Sequence, residues 1–303
     1  NYHQFISTFQ DDFNPSILDN WIAADTSVSP GKSMQVVLGY EEYIKNMYKI
    51  QIEGYYKDLK NLLTYEEKRS TTDAQVSDES LANIVTPADG YAYGLELFGQ
   101  KMSGKLSGWV AYTYSVSRKI MNSIYADGEQ EYYTNWDRTH AFSVLGNYQF
   151  NKKWETNWRF ALQSGQAYTP IMGYYVQKFP ESPEELFRTI PGTRNSGRYE
   201  PYSRLDIGAV YHAKIGKTNV DFFFQIINTL NRSNTFRKIY SLGSPYNGLD
   251  DDGDWDKDLH DTNGNGRADP GETNVDESDE GKINERSIGL FPILPTFGFT
   301  WEF

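Results

Sequence analysis

The 303-residue sequence predicts an all-β protein, a transmembrane antiparallel β-barrel with about ten strands in this chain. Two observations favour this fold class. Segments in which apolar and polar residues alternate recur along the whole chain, and the connections between them alternate between tight turns and long polar loops. Barrels of the outer membrane have this pattern, because each strand meets lipid on one face and the lumen on the other, and the short turns lie on one rim.

Period-two alternation defines the individual strands. In residues 48–56, YKIQIEGYY, Tyr48, Ile50 and Ile52 share one face, and the positions between them are polar. The last segment alternates in the same way and places Phe297 and Trp301 on one face, which we expect to meet lipid. The predicted strands are residues 3–10, 33–44, 48–66, 89–102, 106–120, 140–151, 153–170, 200–215, 218–232 and 290–303.

The connections fall into two length classes. The tight turns are residues 45–47, 103–105, 151–153 and 216–218. The long polar loops are residues 11–32, 67–88, 121–139, 171–199 and 233–289. A soluble β-sandwich also has alternating strands, but strands in globular proteins average about six residues, whereas many of these segments reach ten. Aromatic residues near the strand ends further favour a membrane-interface girdle.

Composition excludes several other classes. No apolar run approaches the roughly 20 residues of a spanning helix. The absence of cysteine excludes disulfide scaffolds and thiolate metal sites. The formal net charge is −12, and residues 250–285 account for −11 of it, with 14 acidic residues against three basic ones. This acidity and the lack of a basic patch argue against nucleic-acid binding.

The strand faces opposite the apolar ones are too polar for a packed core. They suit a wet lumen, or a lumen that another domain fills. The residues concerned are Lys49, Glu53, Glu96, Gln100, Arg159, Arg204, Asp206, Asp221 and Gln225.

Seven short motifs, taken in order, resemble the C-terminal part of TonB-dependent outer-membrane receptors in the form common among Bacteroidetes-type bacteria. The motifs are GYAYGLEL (90–97), AYTYSVS (111–117), WDRTHAFSVLGNY (136–148), SGQAYTP (164–170), RYEPYSRLDIGAVY (198–211), IINTLNRSN (226–234) and FGFTWEF (297–303). Each motif is weak alone, but their order matches that of the family.

The resemblance implies that these residues are the last ten strands of a 22-strand barrel in the outer membrane. The N-terminal plug domain of the family, and the short box that binds TonB, have no counterpart in this chain. The expected function is energised uptake of a scarce nutrient such as a siderophore, glycan or peptide, with no enzymatic activity. The expected partners are the remaining N-terminal strands and plug, TonB, outer-membrane lipid, a nutrient ligand and a surface lipoprotein. Because the chain starts at Asn1 without a signal-peptide pattern, we expect a processed protein or a piece of one.

The acidic part of the loop at 233–289, expected to be extracellular, contains a predicted calcium site. Residues 261–272, DTNGNGRADPGE, match the twelve-residue calcium loop, in which hard oxygen ligands alternate around one ion and a glycine at position six provides the turn. Gly266 occupies that position. The predicted ligands are Asp261, Asn263, Asn265, the carbonyl of Arg267, Asp269 and Glu272.

Residues 250–261, DDDGDWDKDLHD, offer a second, poorer match. Trp255 stands where the glycine is needed, although the carboxylates recur at the same intervals and Asp261 could serve both loops. The ligands of this loop would be Asp250, Asp252, Asp254, Asp256 and Asp258. The alternative for both loops is a solvated acidic segment that repels itself. If calcium binds, its role is structural, because the ion offsets that repulsion.

Four other functions are compatible with the pattern. A self-contained ten-strand barrel could be a porin or an adhesin, or an omptin-like protease for which His140 and Asp137 would be the catalytic candidates. A secreted calcium-binding β-protein is the option outside the membrane. The order of the motifs favours the transporter, and explains the His-Asp pair as a loop-to-strand junction.

Overall fold

The computed structural model describes residues 3–6, 20–24, 29–65, 85–122, 128–178, 185–216, 218–242, 256–267 and 283–302. The strands are β1 (His3–Ile6), β2 (Asn20–Ala23), β3 (Lys32–Ile44), β4 (Tyr48–Tyr65), β5 (Val85–Lys101), β6 (Leu106–Asn122), β7 (Glu129–Tyr133), β8 (His140–Gln149), β9 (Trp154–Gln163), β10 (Ala167–Tyr168), β11 (Ile171–Lys178), β12 (Glu185–Pro191), β13 (Gly197–Arg198), β14 (Tyr202–Ile215), β15 (Thr218–Ile227), β16 (Thr235–Leu242), β17 (Ile283–Gly289) and β18 (Leu294–Glu302). One short helix, α1, spans Lys257–His260. Across these ranges, no helix has the length and apolar character needed to cross a membrane.

Ten strands form one antiparallel sheet, in the order β18-β15-β14-β9-β8-β6-β5-β4-β3, with β7 paired to β6. Each strand pairs with its nearest sheet neighbours in sequence, as expected for strands joined by successive hairpins. Strands β3 to β6 have 13 to 18 residues, two to three times the length usual in globular proteins. The prediction of an all-β antiparallel fold with about ten strands is confirmed.

The predicted tight turns join neighbouring strands. Lys45 and Asn46 both have positive φ, which the two-residue type I′ hairpin turn requires, and the Met47 N–H donates to the Ile44 carbonyl at 3.0 Å. Gly216, with φ +64°, reverses the chain between β14 and β15. The short connections therefore lie at one end of the sheet.

Two details of the strand prediction are wrong. The segment predicted at residues 3–10 does not join the ten-stranded sheet, because β1 pairs only with β2 among the described residues. The tenth strand is instead β7, within the predicted loop at 121–139, where Glu129 to Tyr133 fold back on the extended end of β6. A long strand exposes unpaired backbone groups at its end, and a returning segment satisfies them.

Parts of the other predicted loops are also strands. The loop predicted at 171–199 contains the hairpin β11–β12, and the loop predicted at 233–289 contains the hairpin β16–β17. The strand predicted at 153–170 ends at Gln163. Beyond it, Gly165 packs directly against the Tyr199 backbone, and the chain pairs as β10 with β13. Residues 290–293 precede β18 rather than belonging to it.

The chain divides into two compact units. One comprises residues 1–170, 192–234 and 290–303, and contains the ten-stranded sheet. The other comprises residues 171–191 and 235–289, and contains the hairpins β11–β12 and β16–β17 together with α1. Only seven apolar side chains are buried in the described ranges, and three of them, Ala88, Met121 and Tyr132, form one small cluster with Leu62 against it.

Candidate functional site

The ten-stranded sheet has one continuous apolar face, defined here by the residues that share a side through the strand register. One register row crosses six strands from β3 to β9. It consists of Tyr40, Ile52, Leu97, Tyr112, Phe142 and Leu162. A second row crosses β9, β14, β15 and β18. It consists of Trp154, Tyr211, Phe222 and Phe299.

Large parts of this apolar face are exposed. Leu38 is 82% exposed, Ile52 44% and Phe297 73%. A protein folded in water buries such residues, and monomers rarely expose apolar patches beyond a few hundred square ångströms. An exposed apolar face spread over nine strands therefore requires a covering of similar polarity.

The opposite, polar face carries the predicted charged residues and pairs several of them. Lys49 and Glu41 form an ion pair at 2.9 Å, and Arg204 donates to Asp206 at 2.7 Å. His212 Nδ1 lies 2.8 Å from an Asp221 carboxylate oxygen. The register places the predicted polar set on this one side, so the sequence assigned the two faces correctly.

At the end of the sheet away from the tight turns, Asp137 organises a buried cluster. Its carboxylate accepts the Ser117 N–H at 2.7 Å and an Arg198 guanidinium N–H at 2.6 Å, and its side chain has no exposed surface. Arg198 also donates to the Asp137 and Gly165 carbonyls, at 2.9 and 3.2 Å, and lies over the Tyr133 ring. One aspartate in the loop before β8 therefore connects that loop with both β6 and β13.

Asp137 and His140, considered above as a catalytic pair, have separate partners. The His140 ring lies 2.9 Å from the Tyr112 hydroxyl and packs against Tyr114, whereas the Asp137 carboxylate binds Arg198. The arrangement supports the alternative explanation of this motif as a loop-to-strand junction.

Three buried asparagines hold the loop ends, and sequence reasoning did not single them out. Asn195 and Thr169 exchange hydrogen bonds. The Asn234 side chain bridges both backbone groups of Ser203, at 2.8 and 2.9 Å. The clue in the sequence was their position at the predicted ends of strands and loops, where asparagine often satisfies backbone groups.

Asn228 is the most completely buried of these side chains. Its amide donates to the Arg232 and Phe291 carbonyls, at 3.1 and 3.0 Å, and its own N–H donates to Asp206 at 2.9 Å. It joins the end of β15 to the segment that leads into β18. These contacts explain why residues 226–234 are rich in asparagine.

The described part of the predicted calcium loop is a series of turns held by side-chain oxygens. The Asp261 carboxylate accepts the N–H groups of Gly264, Asn265 and Gly266, at 2.6, 3.2 and 2.7 Å. Asn263 accepts the Asn265 N–H at 3.0 Å, and Asn265 accepts the Arg267 N–H at 2.8 Å. Gly264 and Gly266 have φ of +77° and +73°, which suits glycine.

Electrostatics in this loop favour the ionised form of Asp261. Burial raises the pKa of its carboxyl, but four backbone N–H groups together lower the pKa more, so that it lies below its usual range. Asp256 caps α1 by accepting the Asp258 N–H at 2.8 Å, and Asp258 lies in the first turn of that helix.

The remaining predicted ligands lie outside the described residues. These are Asp250, Asp252, Asp254, Asp269 and Glu272. In the ranges that the structure covers, no three His, Asp or Glu side chains come close enough to hold a metal ion. The described residues are compatible in chemistry with the calcium loop, because Asp261, Asn263 and Asn265 supply side-chain oxygens at positions one, three and five, within a run of turns that those oxygens hold.

No model of a known protein family matches the chain, and no curated protein does either. Among solved structures, the chain is similar to the ferripyoverdine receptor of the outer membrane of Pseudomonas aeruginosa, with 13% identity and a TM-score of 0.44. That match covers 69% of this chain and 24% of the receptor chain. The chain is also similar to the toluene transporter TodX of Pseudomonas putida, with 10% identity and a TM-score of 0.27 over 73% of this chain and 59% of the transporter. The chain thus spans about a quarter of the length of the receptor.

Proposed function

We propose that this chain forms the C-terminal part of the wall of an outer-membrane transporter of the TonB-dependent type. The observation that carries the proposal is the exposed apolar face of the ten-stranded sheet, opposite a face of paired charges. Lipid covers the first face, and the second lines the lumen. The seven motifs, which occur in the order of the family, favour the TonB-dependent type of transporter.

The membrane accounts for the distribution of charge on the sheet. A transmembrane strand must direct its polar side chains away from lipid, because a cation at the bilayer midplane costs about 2–4 kcal/mol on the lipid side. On the proposed lumen side, Lys49 and Arg204 are compensated by neighbouring carboxylates. The paired charges therefore belong to the wet side of the wall.

In this proposal the chain works with parts that it does not contain. Further barrel strands would complete the wall, and a plug coupled to TonB would open the lumen to a captured nutrient. This chain would contribute part of the outer binding surface through residues 171–199 and 233–289, without catalysing a reaction. A surface lipoprotein remains a proposed partner.

Two neighbouring residues on β18 test the placement of the faces. Phe299 is 58% exposed on the apolar face, and Thr300 is exposed on the polar face opposite Asp221. In the natural protein, Phe299→Arg should lower the amount that inserts into the outer membrane by at least tenfold, whereas Thr300→Arg should insert normally. The measurement is the heat-modifiable, folded band in the outer-membrane fraction.

The matched pair makes the outcome decisive. Because both substitutions add the same charge one residue apart, equal insertion would show that the apolar face does not meet lipid. Reduced insertion of Thr300→Arg alone would mean that the faces are reversed.

We further propose that calcium stabilises the acidic loop. Asp261, Asn263 and Asn265, with the Arg267 carbonyl, Asp269 and Glu272, would hold one ion. The ion would offset the excess of negative charge in this segment.

Hydrogen exchange tests the calcium site. Chelation should increase exchange within residues 250–285 and leave the strands of the sheet protected. Asp261→Asn should reduce the response to calcium by at least tenfold in apparent affinity, whereas Asp221→Asn, a control on the polar face, should not. Exchange that is identical with and without chelator would contradict the site.

A further inference from the structure

A trough crosses the apolar face near the tight-turn ends of β4, β5, β6 and β8. Its volume is about 530 Å³. Gly99, Gly108 and Gly146 form its floor, and the register brings them together, because Gly108 lies opposite Gly146 and Gly99 lies opposite Val110. The walls are apolar side chains. They include Ile44, Tyr48, Ile50, Leu106, Val144 and Trp158.

Close contacts with the neighbouring strands require glycine at two of the floor positions. Gly108 has φ +150°, and a Cβ there would lie 2.2 Å from the Leu145 carbonyl oxygen. A Cβ on Gly146 would lie 2.2 Å from the Trp158 ring, which covers that glycine. The trough is therefore built by the pairing of the strands.

Positive charge lies at the turn end of the trough. Lys101 lines the trough and lies opposite Gly108 in the register. Lys105 follows in the next turn, and Lys45 lies in the turn beside Ile44. Among the described residues, no carboxylate forms an ion pair with any of these three lysines, whereas Lys49, on the polar face, pairs with Glu41.

We propose that the trough binds one acyl chain of an anionic glycerophospholipid, with its headgroup phosphate at Lys101 and Lys105. The inference rests on the proposed membrane location of the apolar face. An apolar trough that ends in lysines without an ion pair to any described carboxylate complements a lipid tail joined to a negatively charged headgroup. Each lysine near such a headgroup strengthens binding about fivefold. A headgroup without net charge gains less from the same lysines.

The geometry of two glycines provides a steric test with a control. A Cβ on Gly99 would meet only the Val110 side chain, at 3.5 Å, so Gly99→Leu introduces its side chain at the trough floor with ordinary contact at the Cβ. A Cβ on Gly54 would meet only the Gly94 carbonyl, at 3.9 Å. Gly54 lies on the apolar face of β4 and does not line the trough, so Gly54→Leu adds the same side chain elsewhere on that face.

The measurement is native mass spectrometry of the natural protein in detergent, titrated with palmitoyl-oleoyl phosphatidylglycerol or with phosphatidylethanolamine of the same chains. We expect one saturable phosphatidylglycerol adduct. Gly99→Leu should weaken that adduct at least tenfold, and Gly54→Leu should leave it unchanged. Lys101→Gln should weaken phosphatidylglycerol binding about fivefold without affecting phosphatidylethanolamine.

Equal binding of the two lipids, or an undiminished adduct in Gly99→Leu, would overturn the proposal. A dimer that disappears in Gly99→Leu would also overturn it, because a second copy of the chain would then occupy the trough. If Gly99→Leu does not fold, the smaller Gly99→Val and the Lys101→Gln variant decide. If the protein inserts normally but forms no selective adduct, only the lipid site is contradicted. If Phe299→Arg and Thr300→Arg insert equally, the proposal that the apolar face meets lipid is itself contradicted.

Discussion

Asp137 and Asp261 place the same chemical group, a carboxylate, in two different environments. The Asp137 carboxylate is fully buried and binds an arginine and a backbone N–H that are distant in sequence. The Asp261 carboxylate is partly exposed, and the N–H groups that it accepts come from its own turn. The first arrangement connects separate strands, whereas the second organises a local loop.

The difference shows how burial decides what a carboxylate contributes. Removing one partner of a buried ion pair leaves an uncompensated charge out of water, and such a change costs several kcal/mol. An exposed carboxylate loses little, because water replaces its partners. Asp137 therefore stabilises contacts between separate strands, while Asp261 stabilises only its own turn.

The largest expected effect is that of Asp137→Ala. It leaves Arg198 without its carboxylate and the Ser117 N–H without an acceptor, and should lower the free energy of unfolding by about 3 kcal/mol, since the arginine keeps some exposure. Guanidinium unfolding in detergent measures the change. Asp89→Ala, which removes a more exposed partner of Lys60, is the control, and an equal loss in both variants would contradict the role of burial.

A smaller loss is expected for Arg198→Lys. The ammonium keeps the charge, but it cannot reproduce the contacts of the guanidinium with the Asp137 carbonyl, the Gly165 carbonyl and the Tyr133 ring. The free energy of unfolding should fall by about 1–2 kcal/mol in the same assay. Unchanged stability would show that charge alone holds the cluster.

The smallest expected effect is the loss of protection in the Asp261 turn at acid pH. Because the pKa of Asp261 is lowered in the folded loop, its contribution is present above the unfolded pKa of about 3.9 and is lost as pH falls through the folded value. Protection factors of the Gly264 and Gly266 amides, measured without calcium, should therefore decline below about pH 4. Asp261→Asn should abolish the decline, and a decline that persists in this variant would assign the titration to another group.

The long strands and their faces followed from local pattern. Alternation alone predicted that Ile52 and Lys49 lie on opposite sides, and the structure agrees, because a strand directs successive side chains to opposite faces whatever its partners. Residues 261–267 were likewise predictable as a series of turns, since the spacing of Asp, Asn and Gly specifies them. Strand β7 was not predicted, because its pairing depends on how far β6 extends beyond its neighbours.

The sequence by itself determined the alternating strands, the position of the tight turns, the separation of apolar and polar faces, and the spacing of the acidic residues. All of these depend on residues within a few positions of one another. Only the tertiary structure decided that Asp137 pairs with Arg198, that Asn228 reaches the segment before β18, and that three glycines meet to form a trough. Those contacts join residues dozens of positions apart, and only the pairing of strands and loops that are distant in sequence brings them together.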